Sequence, residues 1–303
     1  MVNSYPQTLP HGITLSCRSC GEPGRPVLLF VHGFPEAAFV WDGLMAHFAR
    51  PENGGWRCVA PNLRGFENSS SPSEVAAYRA KHLVQDLAAL IALESPNAPL
   101  GALIAHDWGG AVAWNLANQQ PALMQRLVIL NSPHPGTFLR ELQHSPAQQA
   151  ASAYMNFLVR PDAEALLAED DFARLWGFFK HFGGASAPEW LTPACQAQYR
   201  AVWRQGLRGG CNYYRASPLR PADEAQVGAQ GLELPDAMLR IERPTLVLWG
   251  LGDHALLPGL LDGLEHWVPD LTVQRHPEAS HWIVHEAPDW VAAQIQPFLA
   301  RAQ

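Results

Sequence analysis

Short apolar runs that stop at turn residues recur along the chain. They lie at 27–33 (VLLFVHG), at the start of 57–65, and at 100–107, 126–135, 245–253 and 271–277. Each is nearly all apolar instead of alternating, which predicts strands buried on both faces of a parallel sheet. Between them apolar residues return at helical spacing, predicting helices over 74–95, 109–120 and 289–303. Strand and helix alternate on both sides of the chain's middle, the signature of a doubly wound α/β sheet. The middle breaks this pattern. From about 136 to 243 there is no strand signal, only alanine- and aromatic-rich helical stretches near 150–159, 170–182 and 195–205, punctuated by proline and glycine. The expected organisation is a core formed by 1–135 and 244–303, with 136–243 inserted as a helical lid.

Composition narrows the function classes. Hydrophobic residues make up 48% of the 303, ample for a large core, and the net charge is −7 with no basic cluster, which argues against nucleic acid as a partner. No run of about 18 apolar residues is present, so no membrane span is expected. The first residues lack the charged and apolar regions of a signal peptide, and a cytoplasmic location is the default expectation. Five cysteines in a long chain do not suggest a disulfide framework. Cys17 and Cys20 form a C-x-x-C without the helix start or second cysteine pair that a redox or zinc motif needs, and are read as two ordinary thiols beside a strand. The oligomeric state is left open, a homo-oligomer included.

Candidate chemistry begins at 104–114, IAHDWGGAVAW. A buried strand runs into a helix through a turn flanked by small residues, Ala105 and Gly109, as in the Gly-x-Ser-x-Gly nucleophile turn, but the centre is Asp107. Such a turn lifts its central side chain above the strand ends, where open α/β sheets bind ligands, and the helix N-terminus favours a negative charge there. Aspartate is also a common helix cap, so the turn alone does not decide. Three further pieces do. HGFPE, 32–36, follows a buried strand; with the residue after the nucleophile it would supply an oxyanion hole from the N–H groups of Phe34 and Trp108, and Pro35 is a candidate cis proline. Asp253 stands at the end of another strand, where a carboxylate can orient a histidine. His281 follows the last strand, completing the order nucleophile, acid, histidine. His281 and His285 stand four apart, but H-E-x-x-H is absent and no third ligand is evident, so no metal is expected. No organic cofactor is called for either.

With these motifs the chain resembles an α/β-hydrolase over nearly its whole length. HGFPE, HDWGG and NSPHP, which leads into the lid, are most similar to the epoxide hydrolase branch. The resemblance implies two lid tyrosines that hydrogen-bond the epoxide oxygen: Tyr214 in NYYR (212–215) and Tyr154 in AYMNFLVRPDAEALL (153–167). Read from the residues alone, either tyrosine could simply pack within the lid. The expected substrate is a small apolar epoxide, contacted by Phe34, Trp108, Tyr154 and Tyr214. The expected reaction is attack by Asp107 to give an alkyl ester, then hydrolysis by water that His281 and Asp253 activate.

Rival readings share parts of this pattern. A haloalkane dehalogenase uses the same first step, but commonly carries asparagine where Phe34 stands. Fluoroacetate dehalogenases place arginines at the positions of Trp108 and Ala111. Asn131 occupies the place where some dehalogenases keep their acid, which favours Asp253. A non-catalytic, ligand-binding homologue usually lacks part of the catalytic set, whereas every role has a candidate here. One departure from the family is Gly65-Phe66-Glu67, where Gly-aromatic-Gly is usual, so the path of that loop is open. Lid aromatics such as Phe157, Trp176, Phe178, Phe179, Phe182, Trp190 and Trp203 suggest a roomy apolar pocket.

Overall fold

The computed structural model describes residues 1–183, 188–223 and 227–301. Eight strands, β1 (Asn3–Thr8), β2 (Thr14–Cys20), β3 (Val27–Val31), β4 (Arg57–Pro61), β5 (Ala102–His106), β6 (Leu127–Leu130), β7 (Thr245–Gly250) and β8 (Leu271–His276), form one sheet in the order β1-β2-β4-β3-β5-β6-β7-β8. From β4 to β8 every pair is parallel, while β2 runs antiparallel to both β1 and β4. The chain goes from β3 to β4 on one side and returns to β5 on the other, so the β3/β5 junction is the switch point at which open α/β sheets bind ligands.

The apolar runs are explained by burial on two faces. Along β3, Val27, Leu29 and Val31 point into one core layer, and Leu28 and Phe30 into the other. The same alternation divides Leu103 and Ala105 from Ala102 and Ile104 on β5, and Val247 and Trp249 from Leu246 and Leu248 on β7. One layer is covered by helices α2 (Ala80–Glu94) and α3 (Asp107–Gln119); the other by α1 (Asp42–Phe48) and α11 (Pro288–Leu299), with short α10 (Ile283–Glu286) beside it. Cys17 and Cys20 fall in opposite layers, as residues three apart on a strand must, so this C-x-x-C brings no two thiols together.

Between β6 and β7 the described residues form helices: α4 (Pro135–His144), α5 (Pro146–Ala151), α6 (Tyr154–Leu158), α7 (Ala163–Phe182), α8 (Pro193–Trp203) and α9 (Arg208–Ala216), with one 3-10 turn. Residues 184–187 and 224–226 of this stretch, and the last two residues of the helix expected to 303, lie outside the described residues.

Several expectations are corrected. The hairpin β1–β2 gave no apolar run: β1 is a half-exposed edge strand, NSYPQT, interrupted by a proline. The edge strand β8 is partly exposed instead of buried on both faces. The helix expected over 74–95 is broken at Arg79, whose backbone is extended; Tyr78 is drawn into the core there, its hydroxyl donating to the Pro72 carbonyl at 2.9 Å. The helical stretch expected from 170 is the second part of α7, set off by a kink at which Asp170, Asp171 and Phe172 adopt left-handed φ values of 49°, 53° and 66°. Arg200 Nε and Trp176 Nε1 bind Asp171 at 2.6 and 2.8 Å and hold this break.

Candidate active site

The site assembles where β3, β5, β6 and β7 end together. Paired positions Val31–Ala105, His106–Leu130 and Leu130–Leu248 bring the loops that follow these strands to one edge of the sheet. Asp107, the first residue of α3, has φ of 49°, a conformation that non-glycine residues adopt only under constraint. Crowding supplies that constraint. A Cβ on Gly109 would collide with the carbonyls of Val31 and His32, and one on Gly33 with the Asp107 carboxylate. Ser132 Oγ donates to the Asp107 carbonyl at 2.6 Å, fixing the turn from β6.

The Asp107 carboxylate is held with its oxygens in different settings. Oδ1 accepts the Phe34 N–H at 2.7 Å. Among the described residues that is the only hydrogen bond to Oδ1. Phe34 precedes Pro35 through a cis bond. His32 holds this loop from beneath: Nδ1 donates to the Gly33 carbonyl at 2.9 Å, and Nε2 accepts from the Leu63 N–H at 3.1 Å. Burial pushes the His32 pKa down to about 4, so it serves as a neutral strut.

Oδ2 lies 3.7 Å from His281 Nε2, inside the reach of charge and beyond a hydrogen bond. His281 Nδ1 binds Asp253 Oδ2 at 2.8 Å. Asp253 is itself saturated: its Oδ2 also accepts from Asn131 Nδ2, and Oδ1 from the N–H groups of Ala255 and Leu256, all at 2.8 Å. Asn131 therefore acts as a clamp on the carboxylate that orients His281. Burial alone would lower the His281 pKa, but the Asp253 charge and hydrogen bond, then Asp107 and Glu36, raise it to about 9.

Two tyrosines stand above. Tyr154 opens α6 and Tyr214 lies on α9, their ring centroids 6.1 Å apart. The Tyr214 ring packs edge-on against Phe34 and Trp108 at 5.4 and 5.1 Å. Its neighbour Tyr213 turns away and donates to the Arg64 carbonyl at 3.0 Å. Burial first, then nearby carboxylates or the partner tyrosine, keep both Tyr154 and Tyr214 far above the usual phenol pKa, so their hydroxyls remain donors. A cavity of about 300 Å³, lined in part by Asp107, Trp108, Tyr154 and Tyr214, opens beside them. Six of the sequence candidates, Asp107, Asp253, His281, Phe34, Tyr154 and Tyr214, thus meet around one point, with Trp108 beside them.

One cluster was not foreseen. Glu36, fully buried, accepts from Tyr199 Oη at 2.8 Å and His285 Nε2 at 2.7 Å through Oε1, while Oε2 faces His106 Nδ1 at 3.2 Å. His106 Nε2 donates to the His281 carbonyl at 2.8 Å. Although burial opposes ionisation, the charge of His285 and then the contact with His106 hold Glu36 well below the usual carboxylate range. The i, i+4 histidines thus serve different carboxylates, His281 binding Asp253 and His285 binding Glu36. Glu36 was visible within HGFPE; Tyr199, 163 residues away, carried no local signal. Removing the Tyr199 hydroxyl leaves a buried carboxylate short of one donor. Tyr199→Phe is expected to lower stability by about 1.5–3 kcal/mol in urea unfolding; a loss near zero would mean that Glu36 is satisfied without it.

Comparison with known proteins agrees with this geometry. A family model described as alpha/beta hydrolase fold matches residues 26–288. The chain is 31% identical to the AB hydrolase superfamily protein YfhM of Bacillus subtilis, over 95% of each chain. It is 30% identical to Epoxide hydrolase 4 of Mus musculus, covering 97% of this chain and 79% of that one. A solved structure described as novel epoxide hydrolases from metagenomes in hot environments shares 37% identity at a TM-score of 0.86, over 99% of both chains. The Bacillus megaterium epoxide hydrolase, solved with an inhibitor, shares 29% identity at a TM-score of 0.83, over 98% of this chain and all of the other. With its sheet order, its strained aspartate turn and these relatives, the chain belongs to the α/β-hydrolase family, in the epoxide hydrolase-like branch.

Proposed function

We propose that the protein is an epoxide hydrolase that opens an epoxide to a vicinal diol through an alkyl ester on Asp107. The observation that carries this is a carboxylate, instead of a hydroxyl, at the nucleophile turn, sharing one cavity with the two tyrosines Tyr154 and Tyr214. A carboxylate can displace a leaving group at saturated carbon, and ring strain makes an epoxide a ready electrophile. As the ring opens, the developing alkoxide takes hydrogen bonds from the Tyr154 and Tyr214 hydroxyls and a proton from one of them. Halide departure would instead be served by N–H donors, and Phe34 offers none from its side chain. In this reading residues 136–243 act as a cap that brings the tyrosines over the core formed by 1–135 and 244–303.

The second step returns the enzyme to its resting state. Asp107 Oδ1, already bonded to the Phe34 N–H, becomes the ester carbonyl oxygen, and Trp108 N–H at the start of α3 serves as the second donor when negative charge develops there. His281, held by Asp253, takes one proton from water as the hydroxide adds to that carbonyl carbon. Collapse expels the diol oxygen, which receives a proton. Ester plus water gives carboxylate, alcohol and one proton; His281 keeps that proton, having passed its resting proton through solvent to the tyrosinate left by ring opening, so both tyrosine hydroxyls are restored. A resting pair of Asp107 carboxylate and His281 imidazolium accords with the raised pKa of about 9.

A single turnover in ¹⁸O water tests this route. The label is expected in the Asp107 side chain and not in the first diol, while Asp107→Asn is expected to be inactive; label appearing directly in the diol would point to attack by water on the epoxide. The pH dependence follows from the same charges. Esterification neutralises Asp107 and removes its share of the His281 pKa rise. The hydrolysis rate of the preformed ester should therefore climb with pH to a plateau with a midpoint below about 9, because neutral His281 is the base. A midpoint at or above the free-enzyme value would contradict this account.

A further inference from the structure

We infer that the site takes terminal epoxides carrying one apolar aryl or alkyl substituent, and discriminates against trans-disubstituted epoxides. This rests on the epoxide hydrolase reading and adds the substrate class. The cavity runs to one side of Asp107. Asp107, Ala111 and Asn115, four residues apart on α3, share one face and line it over two helical turns, about 12 Å of rise. Phe138, Leu219 and Leu234 also line it, as does exposed Met238. Among the described lining residues Asp107 is the one carboxylate and there is no lysine or arginine, so a charged substituent would find no counter-ion.

Phe34 and His281, which flank Asp107, stand beside an aromatic wall in which Phe182 is buried and Phe178 half-buried. Phe178 stacks on Phe182 at 5.2 Å and lies 6.3 Å from Phe34; Phe182 reaches Tyr154 at 4.8 Å and His281 at 6.1 Å. None of Phe34, Phe178, Phe182 or His281 lines the cavity. The substituents of a trans-epoxide point away from each other across the ring. When one lies along α3, the other is driven against these rings, which must shift to admit an added methyl group.

The experiment compares kcat/KM for styrene oxide and trans-β-methylstyrene oxide with the wild-type protein and Phe178→Ala. The wild type should favour styrene oxide by about tenfold or more. Phe178→Ala should shrink that ratio by opening the wall. Ala111→Leu, which narrows the arm, should lower the ratio of 1,2-epoxyoctane to propylene oxide by about tenfold. A smaller wild-type preference overturns the inference while leaving epoxide hydrolysis standing, as does a preference that neither variant changes. No turnover of any of the four epoxides overturns the underlying reading as well.

Discussion

The site depends on one backbone constraint: Asp107 is held in a left-handed conformation at the joint between β5 and α3. Such a residue costs about 1–3 kcal/mol and persists only when its surroundings leave no alternative. Here they leave none. The helix start lies so close to the β3 carbonyls that position 109 must be glycine, and Gly33 leaves space for the carboxylate itself. The strain aims one carboxylate oxygen at the Phe34 N–H and the other toward His281. In the proposed reaction, substrate, base and oxyanion donor then act on a single functional group without rearrangement.

Around that point, charge is arranged in layers. His281 lies between Asp253, which binds it, and Asp107, which it faces without a hydrogen bond. Asp253 is immobilised by three donors besides the histidine, so the imidazole has a fixed direction. Beneath lies Glu36, which ties the His285 side chain and, through His106, the His281 backbone to Tyr199 on α8. Helices between β6 and β7 are therefore joined to the loop that carries His281 through a buried carboxylate as well as through apolar packing. Tyr154 and Tyr214 come from the same group of helices, which links their placement to the loop that carries His281.

Much of this could be read from residues in order. The buried strands announced themselves because both faces are covered, and Asp107 and Asp253 each follow such a strand, while His281 follows the partly exposed β8. β1 and β2 did not, because an edge hairpin needs no continuous apolar run. The break at Arg79 escaped because the helical period continues through it; tertiary packing of Tyr78 overrides the pattern. Tyr214 was separable from Tyr213 only by resemblance, since adjacent tyrosines look alike until one is seen bonded to Arg64. Asn131 was noted as an empty acid position, and its role as a donor to Asp253 required the two strand ends to be seen side by side. The Glu36–Tyr199 contact is long-range and had no sequence signal at all.

The central claim is that Asp107 forms a covalent ester with an epoxide and that His281 is needed only to remove it. The most direct measurement is the intact mass of His281→Gln after separate exposure to styrene oxide and to a bromoalkane. Epoxide opening loses no atom, so the account predicts an added mass equal to the whole epoxide, mapped to Asp107, and no adduct from the bromoalkane. An adduct from the bromoalkane alone, equal to its mass less hydrogen bromide, would contradict it and identify a dehalogenase.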